Sequence, residues 1–102
     1  MAVAVVTEFD VEPGDRSTKN YDAVNARLEA ENDPPAGMIV HTAGFDGDIF
    51  RILDVWESPE EAQRFYEDRL RPMIEAVMSE AGEPNMEPDR QYSYELHDVI
   101  RP

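Results

Sequence analysis

Two β-prone runs, residues 38–45 and 49–57, are separated by Asp46-Gly47, and the second runs straight into Ser58-Pro59-Glu60-Glu61. Asp-Gly accepts the positive φ of a two-residue hairpin turn, so the two runs are expected to pair antiparallel. The serine offers an N-cap oxygen and the proline suits the first helical position, where a missing N–H is no loss. The Glu three residues after the serine completes a capping box. Strand, turn, strand and helix start are thus fixed in sequence before any longer-range argument is made, and the rest of the fold has to be built around them.

The flanking segments supply the partners. Residues 3–9 are rich in β-prone side chains (Val3, Val5, Val6, Thr7, Phe9) and end at the breaker cluster Glu12-Pro13-Gly14-Asp15, which predicts a first strand and its exit. Ser17 or Thr18 can cap a helix running to about Asn32, with Tyr21, Val24 and Leu28 along one face. Asn32-Asp33-Pro34-Pro35-Ala36-Gly37 cannot continue it. In the second helix Ala62, Phe65, Tyr66, Leu70, Met73, Ile74, Val77 and Met78 recur at three- and four-residue spacing down to Gly82, with Pro72 predicting a kink or break near Leu70. Residues 82–89 hold two prolines and three acids and are expected to be loop, and residues 92–99 alternate as a final strand.

The resulting order, βαββαβ, is that of the ferredoxin-like α+β fold, a four-stranded antiparallel sheet with both helices on one face. With 102 residues there is room for one hydrophobic core, so residues 1–102 are expected to form a single domain. Val, Ile, Leu and Phe number 22, just above the fraction below which a highly charged chain stays disordered, so that core is thin. Apolar residues fall on both strand faces, with Met38 and Val40 set against Ile39 and Ala43. The face that the helices leave bare therefore needs a cover, and a second copy of the chain, forming a homodimer, is the simplest one.

Composition excludes several classes of function. With no cysteine there is no disulfide framework, thiolate metal site, iron–sulfur cluster or cysteine nucleophile. A net charge of −14 repels phosphate backbones and anionic lipid, so neither nucleic acid nor membrane is expected as a partner. No basic leader and no bilayer-length apolar run is present, and a cytoplasmic location is the expectation. Lys19 is the only lysine among nine basic residues, and self-repulsion on this scale is relieved by salt, which suggests either a salt-adapted, halophilic host or an arginine-favouring genome. Phosphate-binding Gly-rich loops, nucleophile elbows and His-Glu-x-x-His segments are absent from the sequence. The two histidines, His41 and His97, show no metal-ligand spacing, and no metal is expected.

The stretch Asp54-Val55-Trp56-Glu57-Ser58-Pro59-Glu60-Glu61-Ala62, a strand ending in Trp-x-Ser and leading into a helix, resembles the antibiotic biosynthesis monooxygenase-like proteins of the dimeric α/β-barrel superfamily. The resemblance implies that two ferredoxin-like subunits join their sheets into a barrel. It also implies that the chain binds a small aromatic molecule and oxidises it without a cofactor. In the haem-degrading branch the tryptophan acts with a histidine about ten residues on and an asparagine in the first strand. Here Tyr66 stands at the former position and residues 2–10 hold no asparagine, so haem is not expected as substrate.

A turn at Asp46-Gly47 makes Phe45 face Asp48, His41 face Ile52 and Ile39 face Asp54, which puts His41, Asp54 and Trp56 on one sheet face with Asp54 diagonal to His41. A carboxylate there fixes the imidazole tautomer and raises its basicity. Abstraction of a phenolic proton, from which a polyphenolate can pass an electron to O2, needs such a base beside an aromatic wall. The expected roles are His41 as base, Asp54 as its orienter, Trp56 as stacking wall and Tyr66 as hydrogen-bond donor. The alternative is a non-catalytic ligand-binding or structural accessory, in which His41 and Asp54 are exposed or fill gaps in the core.

Overall fold

The computed structural model describes residues 1–28, 33–84 and 87–102. Its elements follow the expected order: β1 (Val3–Asp10), α1 (Lys19–Leu28), β2 (Met38–Asp46), β3 (Ile49–Trp56), α2 (Pro59–Phe65), α3 (Arg71–Ala81) and β4 (Arg90–Glu95). The strands form one antiparallel sheet in the order β2-β3-β1-β4, and the helices lie on one face of it, making a ferredoxin-like α+β fold. The expected end of the first helix at Asn32 lies outside the described residues. No helix among the described residues is long and apolar enough to cross a membrane.

The second helix begins as its capping box dictates: Ser58 Oγ accepts from the Glu61 N–H at 3.3 Å, and Pro59 takes the first turn. As Pro72 predicts, the regular α-helix is interrupted near Leu70: α2 ends at Phe65 and α3 begins at Arg71. Between them the chain widens into one π-helical turn, Tyr66–Leu70, in which the Arg71 N–H bonds the Tyr66 carbonyl five residues back. Proline has no N–H for the carbonyl four residues before it, and its ring crowds that carbonyl. A wider turn accommodates both problems.

The hairpin also differs from expectation. Asp46 pairs with Ile49, so Gly47 and Asp48 are the turn residues, and Gly47 takes φ +58°. The predicted pairing is therefore displaced, and His41 faces Asp54 directly instead of Ile52. A β-bulge between Met38 and Val40 then inserts Ile39, so that Met38 pairs with Trp56 but Val40 with Val55. Met38 and Val40 consequently lie on opposite faces, where simple alternation put them together. The last strand begins at Arg90 and stops at Glu95, short of the expected residue 99.

Two layers of packing result. Between the helices, Val24, Leu28 and Val77 are buried with Phe65, Leu70, Met73 and Ile74 around them. Trp56, at the end of β3, is 2% exposed and packs on Phe65 with ring centroids 5.3 Å apart. On the open face Ala4 and Val6 are buried along the central strand, while Val40, Tyr92 and Tyr94 are exposed. The same face carries a charge ladder in register across three strands. Glu8, itself buried, accepts from Arg51 Nε at 2.7 Å on β3 and from Arg90 Nε at 2.6 Å on β4. These two guanidiniums hold the Glu8 carboxyl below its usual range, Arg90 contributing most.

Candidate active site

His41 sits on β2, an edge strand, and its side chain points to the helix side of the sheet because Asp54, its direct partner, shares the face of Trp56. His41 Nδ1 lies 2.5 Å from Asp54 Oδ1. A carboxylate can only accept, so Nδ1 carries the proton and donates, leaving the Nε2 lone pair free in the neutral ring. That lone pair meets the hydroxyl of Tyr21, from the first turn of α1, at 2.6 Å. The two rings are nearly parallel, 9° apart with centroids at 6.1 Å, and Tyr21 also packs edge-on against Phe50 at 5.3 Å.

The electrostatics follow from these contacts. The hydrogen bond to Asp54 raises the His41 pKa above its usual value, with burial opposing it. Burial pushes the Tyr21 phenol up, so at neutral pH it is a donor. The site is half open: the His41 side chain is 33% exposed and that of Asp54 17%. Asp54, His41 and Tyr21 thus form a chain of short hydrogen bonds running from the sheet to the solvent-facing seam beside α1.

Of the residues expected at the site, the structure joins His41 and Asp54. Trp56 is on the same face two residues along β3, but its burial against Phe65 leaves no ring surface for a ligand to stack on, and its role as a wall is corrected to a core role. Tyr66 opens the π-helical turn, is 42% exposed, and has no hydrogen bond to His41 or Asp54 among the described residues. The donor at the imidazole is Tyr21 instead, a residue that helical periodicity had counted as part of an apolar stripe. A tyrosine at the solvent end of such a stripe, on the helix facing the His41 strand, was the signal that could have found it.

Two cavities lie elsewhere. One, an open groove of about 640 Å³, lies between residues 96–102 and the ends of β2 and β3, and includes Ile39, Val55 and Val99 in its wall. The other, about 160 Å³, lies between Pro35 and Phe65. Neither is lined by His41, Asp54 or Tyr21. Among the described residues no three His, Asp or Glu side chains converge as metal ligands would.

No protein-family model matches the chain, and no curated protein sequence matches it. Solved structures do. A protein of unknown function from Nitrosomonas europaea superimposes with a TM-score of 0.68 at 18% identity, over 99% of this chain and 94% of that one. A protein from Chloroflexus aurantiacus, provisionally assigned as an antibiotic biosynthesis monooxygenase, gives 0.60 at 17% identity over 99% and 98%. SnoaB, a cofactor-independent oxygenase from Streptomyces nogalater, gives 0.58 at 15% identity over 97% and 96%. At these identities the likeness is one of fold: the chain has the architecture of the antibiotic biosynthesis monooxygenase-like proteins over nearly its whole length.

Proposed function

From this shared fold we propose that the chain binds a small aromatic molecule between its sheet edge and α1 and oxidises it with O2, without a bound cofactor. The observation that carries the reading is the Asp54–His41 pair, a tautomer-fixed base in a half-open seam whose other ring nitrogen meets only the Tyr21 hydroxyl among the described residues. SnoaB, which has this fold, is a cofactor-independent oxygenase. The chemistry asked of the residues is limited. His41 takes the acidic proton of a phenol or of an adjacent ring CH2, and Asp54 stabilises the imidazolium that forms. The electron-rich carbanion then reduces O2 to a bound peroxide. Loss of water leaves a carbonyl, so that CH2 and O2 become C=O and H2O, and the proton held on His41 returns to the departing oxygen.

Oxygen uptake measured with a panel of polyphenols and hydroquinones tests this. Saturable uptake that falls at least a hundredfold in His41→Ala is the expected result; equal uptake by native and variant protein overturns the assignment. The openness of His41 and the placement of both cavities away from it favour a second reading, a non-catalytic binding protein, which predicts saturable binding of such compounds with no oxygen consumed.

The open sheet face suits a second copy. Val40, Tyr92 and Tyr94 present apolar surface there that a homodimer would cover. Sedimentation equilibrium with Tyr92→Glu/Tyr94→Glu tests the pairing: a shift to monomer is expected, and an unchanged mass rejects this face as the interface.

A further inference from the structure

The Nε2 lone pair of His41, the atom that the proposed reaction needs, is already occupied by a phenol of the protein's own. The Tyr21 hydroxyl meets it at 2.6 Å, with the two ring planes within 9° of parallel and their centroids 6.1 Å apart. On the other side of the imidazole, Asp54 at 2.5 Å holds the tautomer and the ring orientation that make this contact possible. Tyr21 is anchored from outside the sheet, on the first turn of α1, with Phe50 against its ring edge as its aromatic neighbour.

Resting on the reading given above, we propose that Tyr21 is an internal stand-in for the substrate and gates the site, and that the ligands admitted are phenols. A ligand reaches His41 only by displacing the Tyr21 hydroxyl. The exchange is near neutral when the newcomer brings an O–H donor of its own, because one phenol replaces another on the same acceptor. A ligand without that donor leaves the Nε2 acceptor unpaired in a half-buried seam, a loss equivalent to roughly a tenfold or greater weakening. The selectivity therefore lies in the hydroxyl and not in the shape of an enclosed pocket, which agrees with the absence of His41 from the walls of both cavities. Tyr21 is a positioning residue here: it sets what can reach the base and takes no part in the proton transfer.

The test uses 2-naphthol and 2-methoxynaphthalene, which share an aromatic body and differ in the donor, and follows the His41 imidazole nitrogens by NMR under nitrogen so that no oxidation intervenes. In the native protein 2-naphthol is expected to shift Nε2 in a saturable way while the methyl ether does not. Tyr21→Phe removes the internal competitor and keeps the ring on Phe50, and should bind both compounds about tenfold more tightly, with 2-naphthol still well ahead of the ether. Tyr21→Leu, which also lacks the hydroxyl, gives the same comparison should the Phe variant be poorly folded. Unchanged or weaker naphthol binding in a folded variant overturns the gate, as does equal binding of naphthol and ether. Oxygen uptake is scored separately: tightened binding with no turnover upholds the gate while the oxygenase reading fails.

Discussion

His41 and Asp54 stand directly opposite each other across β2 and β3, with Nδ1 and Oδ1 2.5 Å apart. Placing a base and its orienter at one register position of a hairpin makes their geometry a property of backbone pairing, so the contact does not depend on a loop conformation. The bulge that reverses side-chain direction in β2 falls at Ile39, outside the stretch that joins the two residues, and the pair survives it.

Asp54→Asn replaces the charged hydrogen-bond acceptor that raises the His41 pKa, which should fall in an NMR titration of the imidazole. The sign of the stability effect follows. A raised folded pKa contributes stability that is fully present below the unfolded value and lost as pH rises through the folded one. Native protein should therefore exceed the variant in stability by more at about pH 5.5 than at about pH 9. A stability gap independent of pH would mean that the pair is not charged in the folded state.

Glu8 behaves in the opposite sense. Arg90 and Arg51 lower its pKa, so its contribution is present above the ordinary carboxylate range and is lost as pH falls through the depressed folded value. Glu8→Gln should melt at a lower temperature than native protein near neutrality, and the two should converge in acid. Thermal unfolding across the acid range checks this; a difference that persists below both pKa values would point to packing and not charge.

Gly37 takes φ +85°, and a Cβ there would lie 2.0 Å from Oε2 of Glu61, whose carboxylate accepts from the Ser58 hydroxyl at the helix start. Gly37→Ala should cost about 1–3 kcal/mol in urea denaturation, from backbone strain and a disturbed helix start together. Adding Glu61→Ala should recover the steric part only. Full recovery would show that the backbone conformation carries no strain.

Trp56 is the only tryptophan and is 2% exposed, so its emission should be blue-shifted and resistant to acrylamide. Trp56→Ala should destabilise the fold by about 3–5 kcal/mol, and Trp56→Phe by less, since a ring on Phe65 remains. Ready quenching by acrylamide would return this residue to the candidate site wall.

The sequence by itself determined the element order, the hairpin, the helix start at Ser58 and the sharing of one sheet face by His41, Asp54 and Trp56, because turn chemistry, capping and period-two alternation are local. An error of register that moves pairing by two positions preserves faces, which is why misplacing the turn by one residue left the His41–Asp54 pair intact. Only the tertiary structure decided what meets these residues. How the helix accommodates Pro72, whether Trp56 is wall or core, and whether Tyr21 or Tyr66 reaches the imidazole depend on how α1 and α2 lie across the sheet. That packing is set by the sum of many side-chain volumes, and no single motif encodes it.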